Sequence, residues 1–355
     1  MRAAWIVVAG FAVIWVGVGW GVRDQARSHD FLSFYTGAHI VSHGEAAHLY
    51  DEALQTRVQK QWAPPNAALI PANRPPFYVL LQSPLAWLSF DTAFAVYIPI
   101  QIAVLLACWF WAWRRFGEPA VVFAAMSMPA ALGIAHGQDN ALFLAVLIGS
   151  YALAANGKDF ASGAVLGLLL AKFHLAPLWP LALLILRRWK MLAGFAATGI
   201  AAAAVSLAMV GIGGIRAYAS FVQNPDFDRI AAQPEFMIGL RGLDANLGVP
   251  MLASLPVMLV LFVFAVRRAP LWRLYPAATA ASLLLPPHVY GYDATMLLLG
   301  LWLAAFHTGR RFTRSVVLWL FTPFAFSFTL AGKPWAAIAP LSLMALLAAL
   351  ALERK

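Results

Sequence analysis

Uncharged apolar stretches of near membrane-crossing length recur along the chain, at residues 3–22, 191–212, 250–266, 274–287, 294–307, 315–330 and 336–351. A bilayer's hydrocarbon layer is about 30 Å thick and takes roughly 20 helical residues to cross, so this pattern leaves few folds open. With 62% hydrophobic and 11% charged residues, the chain cannot hide its apolar surface in one soluble core. The expected architecture is an all-α polytopic membrane protein. The net charge of +10 does not indicate nucleic acid, because the basic residues gather in short clusters between the apolar stretches. Such clusters at Arg114 and Arg115, at Arg187, Arg188 and Lys190, at Arg267, Arg268 and Arg273, at Arg310, Arg311 and Arg314, and at Arg354 and Lys355 read as cytoplasmic topology anchors. Cys108, the only cysteine, excludes an internal disulfide and a cysteine metal cluster. The stretch after Arg2 lacks a small-residue cleavage site, which predicts a retained first helix entering from the cytoplasm rather than a signal peptide.

Two regions are ambiguous in topology. Residues 76–113, with Pro84 and Pro99, and residues 160–186, with Lys172, His174, Pro177 and Pro180, can each cross once or twice. If the first crosses twice and the second once, Arg114, Arg115 and Lys158 face outward. The reverse choice keeps them inside and is favoured by the bias of Lys and Arg toward the cytoplasm. Either choice gives about twelve crossings. Two sizeable outer loops remain, at 23–75 and 213–249, and the sequence shows neither repeats nor low-complexity segments.

The polar residues that interrupt this pattern are the candidates for chemistry. Asp30 follows closely on the first span, within His29, Asp30, Phe31, Leu32, Ser33, Phe34, Tyr35, where an acid can reach water at the membrane surface. Further along the same loop come Tyr50, Asp51 and Glu52, then Leu54, Val58 and Trp62 at near-helical spacing. That spacing predicts a helix lying on the membrane surface, with a solvated loop as the alternative. Arg74 precedes Pro75 and Pro76, which stop a preceding helix and fix the entry of the next span. An arginine at headgroup depth suits phosphate recognition, or else it snorkels at the interface. The turn Gly137, Gln138, Asp139, Asn140 offers amides suited to sugar hydroxyls, although Asp139 or Asn140 serves equally as a helix cap. Lys172 and His174 stand in apolar surroundings, where a cation needs a partner such as phosphate or a route to the interface. In the turn Pro286 to Asp293, His288 can bind phosphate or move a proton, and Tyr290 and Tyr292 can contact a sugar or anchor at the interface. Asp293 reads as a cap for the following helix. The charges of the second loop, Asp226, Asp228, Arg229, Glu235, Arg241 and Asp244, form no recognisable arrangement.

Some chemistries lack their residues. The chain has no phosphate-cradling glycine loop with a lysine, no dinucleotide fingerprint and no two-histidine zinc helix. A donor activated before it arrives fits better. Transfer of a sugar from a lipid phosphate needs a base for the acceptor hydroxyl and cations or other donors for the departing phosphate, and the outer-facing residues can supply both.

Several short pieces, taken in order, resemble a known group. They are Asp30 to Ala38 with Gly44 and Leu49 to Asp51, then Arg74 to Phe77, then Gly137, Gln138 and Asn140. Ser162 and Gly163 to Gly167 with Lys172 follow, and Arg187 to Trp189 close the series. In this order they resemble membrane glycosyltransferases of the C-type fold, and within these glycosyltransferase family 87, the polyprenyl-phosphate-mannose-dependent mannosyltransferase-like proteins. The resemblance implies a bundle of about twelve transmembrane helices with a long first extracytoplasmic loop. It also implies one integral membrane domain over 1–355, of which 1–212 is the shared module and 213–355 a variable set of C-terminal helices. The implied activity is inverting transfer of a sugar, mannose first, from a polyprenyl-phosphate donor to a lipid or glycan acceptor. The implied place is the outer face of a bacterial cytoplasmic membrane. Asp30 takes the role of general base. Arg74, Lys172, His174 and His288 are then expected at the donor phosphate and lipid, and Tyr50, Asp51, Gln138, Asn140, Tyr290 and Tyr292 at the sugar or acceptor. No metal and no cofactor is expected; Asp30, Asp51 and Asp139 would hold a metal only if they converged. The rival readings are a transporter or flippase of lipid-linked or small polar substrates, which would show charges at mid-membrane and inverted repeats, and a scaffold or lipid-binding subunit that does not need Asp30.

Overall fold

The computed structural model describes residues 2–21, 30–64, 70–223 and 233–353. His29, Asp226, Asp228, Arg229, Arg354 and Lys355, which entered the reading above, lie outside these. The regular structure is helical, and the pairing of extended backbone among the described residues is one isolated antiparallel bridge between Met237 and Tyr290. Helices satisfy their own backbone groups, which is what a hydrocarbon surrounding demands.

The described part of segment 23–75 is mostly helical. After α1 (Arg2–Gly21) come α2 (Asp30–Ser42), a single 3-10 turn and α3 (Glu52–Gln59). The amphipathic helix expected from Leu54, Val58 and Trp62 forms as α3, with Leu54 and Val58 buried and the Asp51 carboxylate accepting the Leu54 amide at 3.0 Å as its N-cap. Helix α2, which was not expected as a separate helix, is buried on nearly every face. Its aromatic residues explain the burial: the Phe31 ring packs within 5.1–5.4 Å of Phe90, Phe94 and Tyr97.

A short α4 (Pro76–Gln82) leads to α5 (Phe90–Phe116), whose 27 residues reach about 40 Å at 1.5 Å each. Region 76–113 thus holds one helix of crossing length. Helices α6 (Glu118–Ala125) and α7 (Met128–Ala135) are bent by 52° at the Ser127–Pro129 break, and α8 (Asn140–Ala155) follows. Region 160–186 is broken twice. Helix α9 (Asp159–Leu166) passes into a 3-10 segment, Gly167–Leu175, whose backbone leaves helical geometry at Lys172 (φ −109°, ψ 65°), and α10 (Leu178–Ile185) restarts after Pro177. The long α11 (Trp189–Gln223) kinks at Gly211, where φ is +68°. The rest comprises α12 (Leu240–Leu247), α13 (Met251–Val266), α14 (Leu271–Leu284), a 3-10 turn at Gly291–Met296, α15 (Leu297–His307), the bent pair α16 (Arg311–Phe321) and α17 (Phe324–Ser327), and α18 (Ile338–Leu352).

Among the described residues, three helices are long and apolar enough to cross a membrane, Phe90–Phe116, Trp189–Gln223 and Trp335–Leu352. Two bent pairs raise that to five if each is one span. Large apolar side chains on their outer faces, such as Leu106, Phe110 and Ile200, are exposed, as lipid-facing positions are. The interior is a continuous apolar core built on α8, α14 and α15 around fully buried Trp179, Tyr275 and Trp302.

Helices α9 and α11 cross backbone to backbone, in the way that small residues permit within a membrane. A Cβ at Gly163 would lie 1.8 Å from the Met191 carbonyl oxygen, and one at Gly194 2.0 Å from that of Phe160. We expect Gly163→Ala to destabilise the protein by about 1–3 kcal/mol through overpacking, read as a lower thermal midpoint in detergent. Gly10→Ala, with open space around its Cβ, serves as the neutral control.

Candidate active site

The site is assembled from four distant parts of the chain, each ending a helix or breaking one. At the α7–α8 junction, Gly137 adopts φ +67°, and this left-handed turn reverses the chain into Gln138, Asp139 and Asn140. Asp139 stands at the cap position of α8 but its side chain makes no capping bond. Instead the fully buried carboxylate is held by Arg74, whose Nη2 donates to both oxygens at 2.7 and 3.0 Å, and by the Tyr78 hydroxyl, which donates at 2.9 Å. Lys172 Nζ approaches the same carboxylate at 3.5 Å.

Lys172 is carried by the helix break and is 2% exposed. Its ammonium donates to Asp293 Oδ1 at 2.8 Å, to Gln138 Oε1 at 3.3 Å and, closely, to Asn140 Oδ1. Asn140 in turn donates to the Tyr292 carbonyl at 2.9 Å, which joins the α8 start to the turn before α15. Neither cation snorkels, since each sits inside with a carboxylate. Two carboxylates and two cations can be buried together because their charges cancel and hydrogen bonds fill the remaining directions; any one of them alone would be prohibitive. Asp293 shows the balance. Burial by itself would raise its carboxyl, but the Lys172 ammonium, His174 and the Tyr290 amide hold it below the usual carboxylate range.

Arg74 is positioned by an extended segment wrapped in side chains. Gln59 Nε2 donates to the Ile70 carbonyl at 2.5 Å, Ser33 Oγ to that of Pro71 at 2.9 Å and Gln55 Nε2 to that of Ala72 at 3.2 Å. The Tyr218 and Tyr50 hydroxyls donate to the carbonyls of Asn73 and Arg74, at 3.5 and 2.7 Å. The Ala72 amide adds a bond to Gln55 Oε1 at 2.8 Å. A buried segment without a sheet must find such partners, and α2, α3 and α11 provide them.

Around these groups lies a cavity of about 80 Å³, room for a few waters at their liquid share of about 30 Å³ each. Of the residues singled out from sequence, Asp30, Arg74, Gln138, Lys172, His174, His288 and Tyr292 line it. Asp30 is half-buried in this lining, and Asp139 and Asp293 are buried and ion-paired. Three expected sugar contacts lie elsewhere. Tyr50 is spent behind the site on the Arg74 carbonyl, Asp51 caps α3 at an exposed position, and the Tyr290 hydroxyl accepts the Gln233 amide at 3.3 Å. Asn140 lies behind the lining, as the link between Lys172 and Tyr292. Sequence reasoning missed Asp139 and Asp293 as ion-pair partners, Tyr78 as a donor and Asn73 in the lining. No local signal marks the pairs, which span 65 and 121 positions. Among the described residues no group of three or more His, Cys, Asp or Glu is gathered to hold a metal.

Breaking a buried pair from one side leaves an uncompensated charge, so Asp139→Ala is expected to cost about 3–5 kcal/mol of stability. The double change Arg74→Met with Asp139→Leu is expected to recover most of it, and a thermal unfolding series in detergent measures both.

The profile of glycosyltransferase family 87 matches residues 74–287, more than half of the chain. No curated protein and no solved structure matched. The matched span contains Arg74, Gln138, Asp139, Asn140 and Lys172, while Asp30 precedes it and His288 to Asp293 follow it. The apolar helices and the matched family converge: the chain belongs to glycosyltransferase family 87 and is a membrane glycosyltransferase.

Proposed function

We propose that the protein moves a sugar, mannose first, from a polyprenyl-phosphate donor to a hydroxyl of a lipid or glycan acceptor. The reaction takes place on the extracytoplasmic face of a bacterial cytoplasmic membrane, with the chain forming a C-type bundle of about twelve crossings. Asp30 is the general base. It takes the proton from the acceptor hydroxyl as that oxygen bonds to the anomeric carbon. The bond from that carbon to the phosphate oxygen breaks, the bonding pair leaves with the polyprenyl phosphate, and the configuration inverts.

The observation that supports this most is the contrast among the cavity's acids. Asp139 and Asp293 are buried and already hold cations, while Asp30 lines the cavity and is only half-buried. Arg74 has five N–H donors and uses its Nη2 on Asp139 and Nη1 on the Ala171 carbonyl at 3.4 Å, so Nε and part of Nη1 are left over for phosphate. Lys172, His174 and His288 line the same cavity and add cationic or donor character for the leaving group. The neutral pairing beneath them means that one added phosphate charge meets oriented donors rather than bare positive charge. Because the cavity holds only about 80 Å³, binding a hexosyl phosphate requires side chains at its rim to move.

With purified protein, polyprenyl-phosphate sugars and candidate acceptors, we expect Asp30→Asn to lower turnover by about 10²- to 10⁴-fold with an unchanged thermal midpoint. Equal turnover by the variant would remove the assigned base. Radiolabelled lipid-linked sugar accumulating in vesicles without transfer would favour the transporter instead.

A further inference from the structure

The wrapped segment that carries Arg74 also carries Asn73, and the two residues are used differently. The backbone on both sides of Asn73 is fixed, since the carbonyls of Ile70, Pro71, Ala72, Asn73 and Arg74 each accept a side-chain donor. The Asn73 side chain lines the cavity, is half-buried, and makes no hydrogen bond to any described residue. Its neighbours there are committed: Ser33 donates to the Pro71 carbonyl, Arg74 is bound to Asp139, and Lys172 to Asp293. Gln138 is committed by half, its Oε1 taken by Lys172 while its Nε2 donates to no described residue.

An amide offers two donors and an acceptor, and a sugar hydroxyl both donates and accepts, so the two groups are complementary. A ligand's hydroxyl is discriminated strongly only when the protein group that meets it is held in place and would be left unpaired by the wrong isomer. Asn73 meets the first condition through the five fixed carbonyls and the second through its uncommitted amide. Solvation of a half-buried amide would explain the missing partner but not the wrapping of the backbone on both sides.

We propose that Asn73 reads a hydroxyl of the transferred sugar, with the Gln138 amide nitrogen as a second donor, and so helps to set which hexose epimer the enzyme accepts. This rests on the sugar-transfer reading above and names a specificity residue for it. The residue takes no part in proton transfer or in holding the phosphate.

The test uses the full chain in detergent with two polyprenyl-phosphate hexoses that differ at one hydroxyl, such as mannose and glucose. The expected result for Asn73→Ala is a loss of about 10- to 100-fold in kcat/KM for the preferred sugar, a much smaller loss for its epimer, and thus a narrowed ratio. Inhibition by sugar-free polyprenyl phosphate and the thermal midpoint should stay as in the parent protein. Should Asn73→Ala fold poorly, Asn73→Ser keeps a small polar group, and the epimer ratio remains the readout. A parent enzyme that is active and a variant with an unchanged ratio would overturn the role of Asn73 while leaving the transfer reading intact. A parent protein that transfers neither sugar would take down both.

Discussion

The interior of this protein tolerates charge because its charges come in pairs. Arg74 with Asp139 and Lys172 with Asp293 neutralise one another in a buried region, with Tyr78, Gln138 and Asn140 adding further hydrogen bonds. Each pair joins segments far apart in sequence. The end of the first outer loop is bound to the α7–α8 turn, and the break after α9 is bound to the turn before α15. The two pairs are in contact, since Lys172 also stands 3.5 Å from Asp139. Whether such pairs add net stability over apolar packing is a separate question from the geometry they impose. Their geometry ties the end of segment 70–74, the α7–α8 turn, the break after α9 and the turn before α15 to one another.

Around that ionic floor the outer loop acts as a scaffold rather than a cover. Helix α2 packs its aromatic residues on α5, α3 caps itself with Asp51, and their polar side chains turn inward to hold residues 70–74. The result is a cavity lined by buried ion pairs and by the half-buried Asp30. On the proposed reading, Asp30 as base, Arg74 and Lys172 at the phosphate and the amides of Asn73 and Gln138 all line this one cavity, so one bound substrate can meet each of them.

How much of this was legible in the sequence follows from the range of each interaction. Membrane helices and the amphipathic α3 were readable because hydropathy and helical spacing are local, as in Leu54 and Val58. Gln138, Lys172, His174 and His288 stood out because a polar group in an apolar run is conspicuous wherever its partner lies. Asp139 and Asp293 looked like helix caps because a cap is the only partner visible within a few residues; their actual partners are 65 and 121 positions away. Tyr50 and Asp51 are the opposite case. They neighbour the candidate acid along the chain, yet one is spent on a backbone carbonyl and the other on an amide three residues on. Helix α2 went unseen because its polar residues, Asp30, Ser33, Thr36, His39 and Ser42, are interleaved with aromatic and apolar ones and most of them are buried or half-buried, so no solvent-facing stripe marks it. The helix break at Lys172 falls inside region 160–186, which the sequence left open between one crossing and two, and the helix restarts after Pro177.

The measurement that bears most directly on this account is a structure of the protein with a non-transferable polyprenyl-phosphonate sugar and an acceptor analogue bound. The account expects the acceptor hydroxyl within hydrogen-bond reach of Asp30, about 2.6–3.2 Å, with the phosphonate on the Arg74 and Lys172 side and the sugar between them. An acceptor bound away from Asp30, or a phosphonate held outside the cavity, would contradict it.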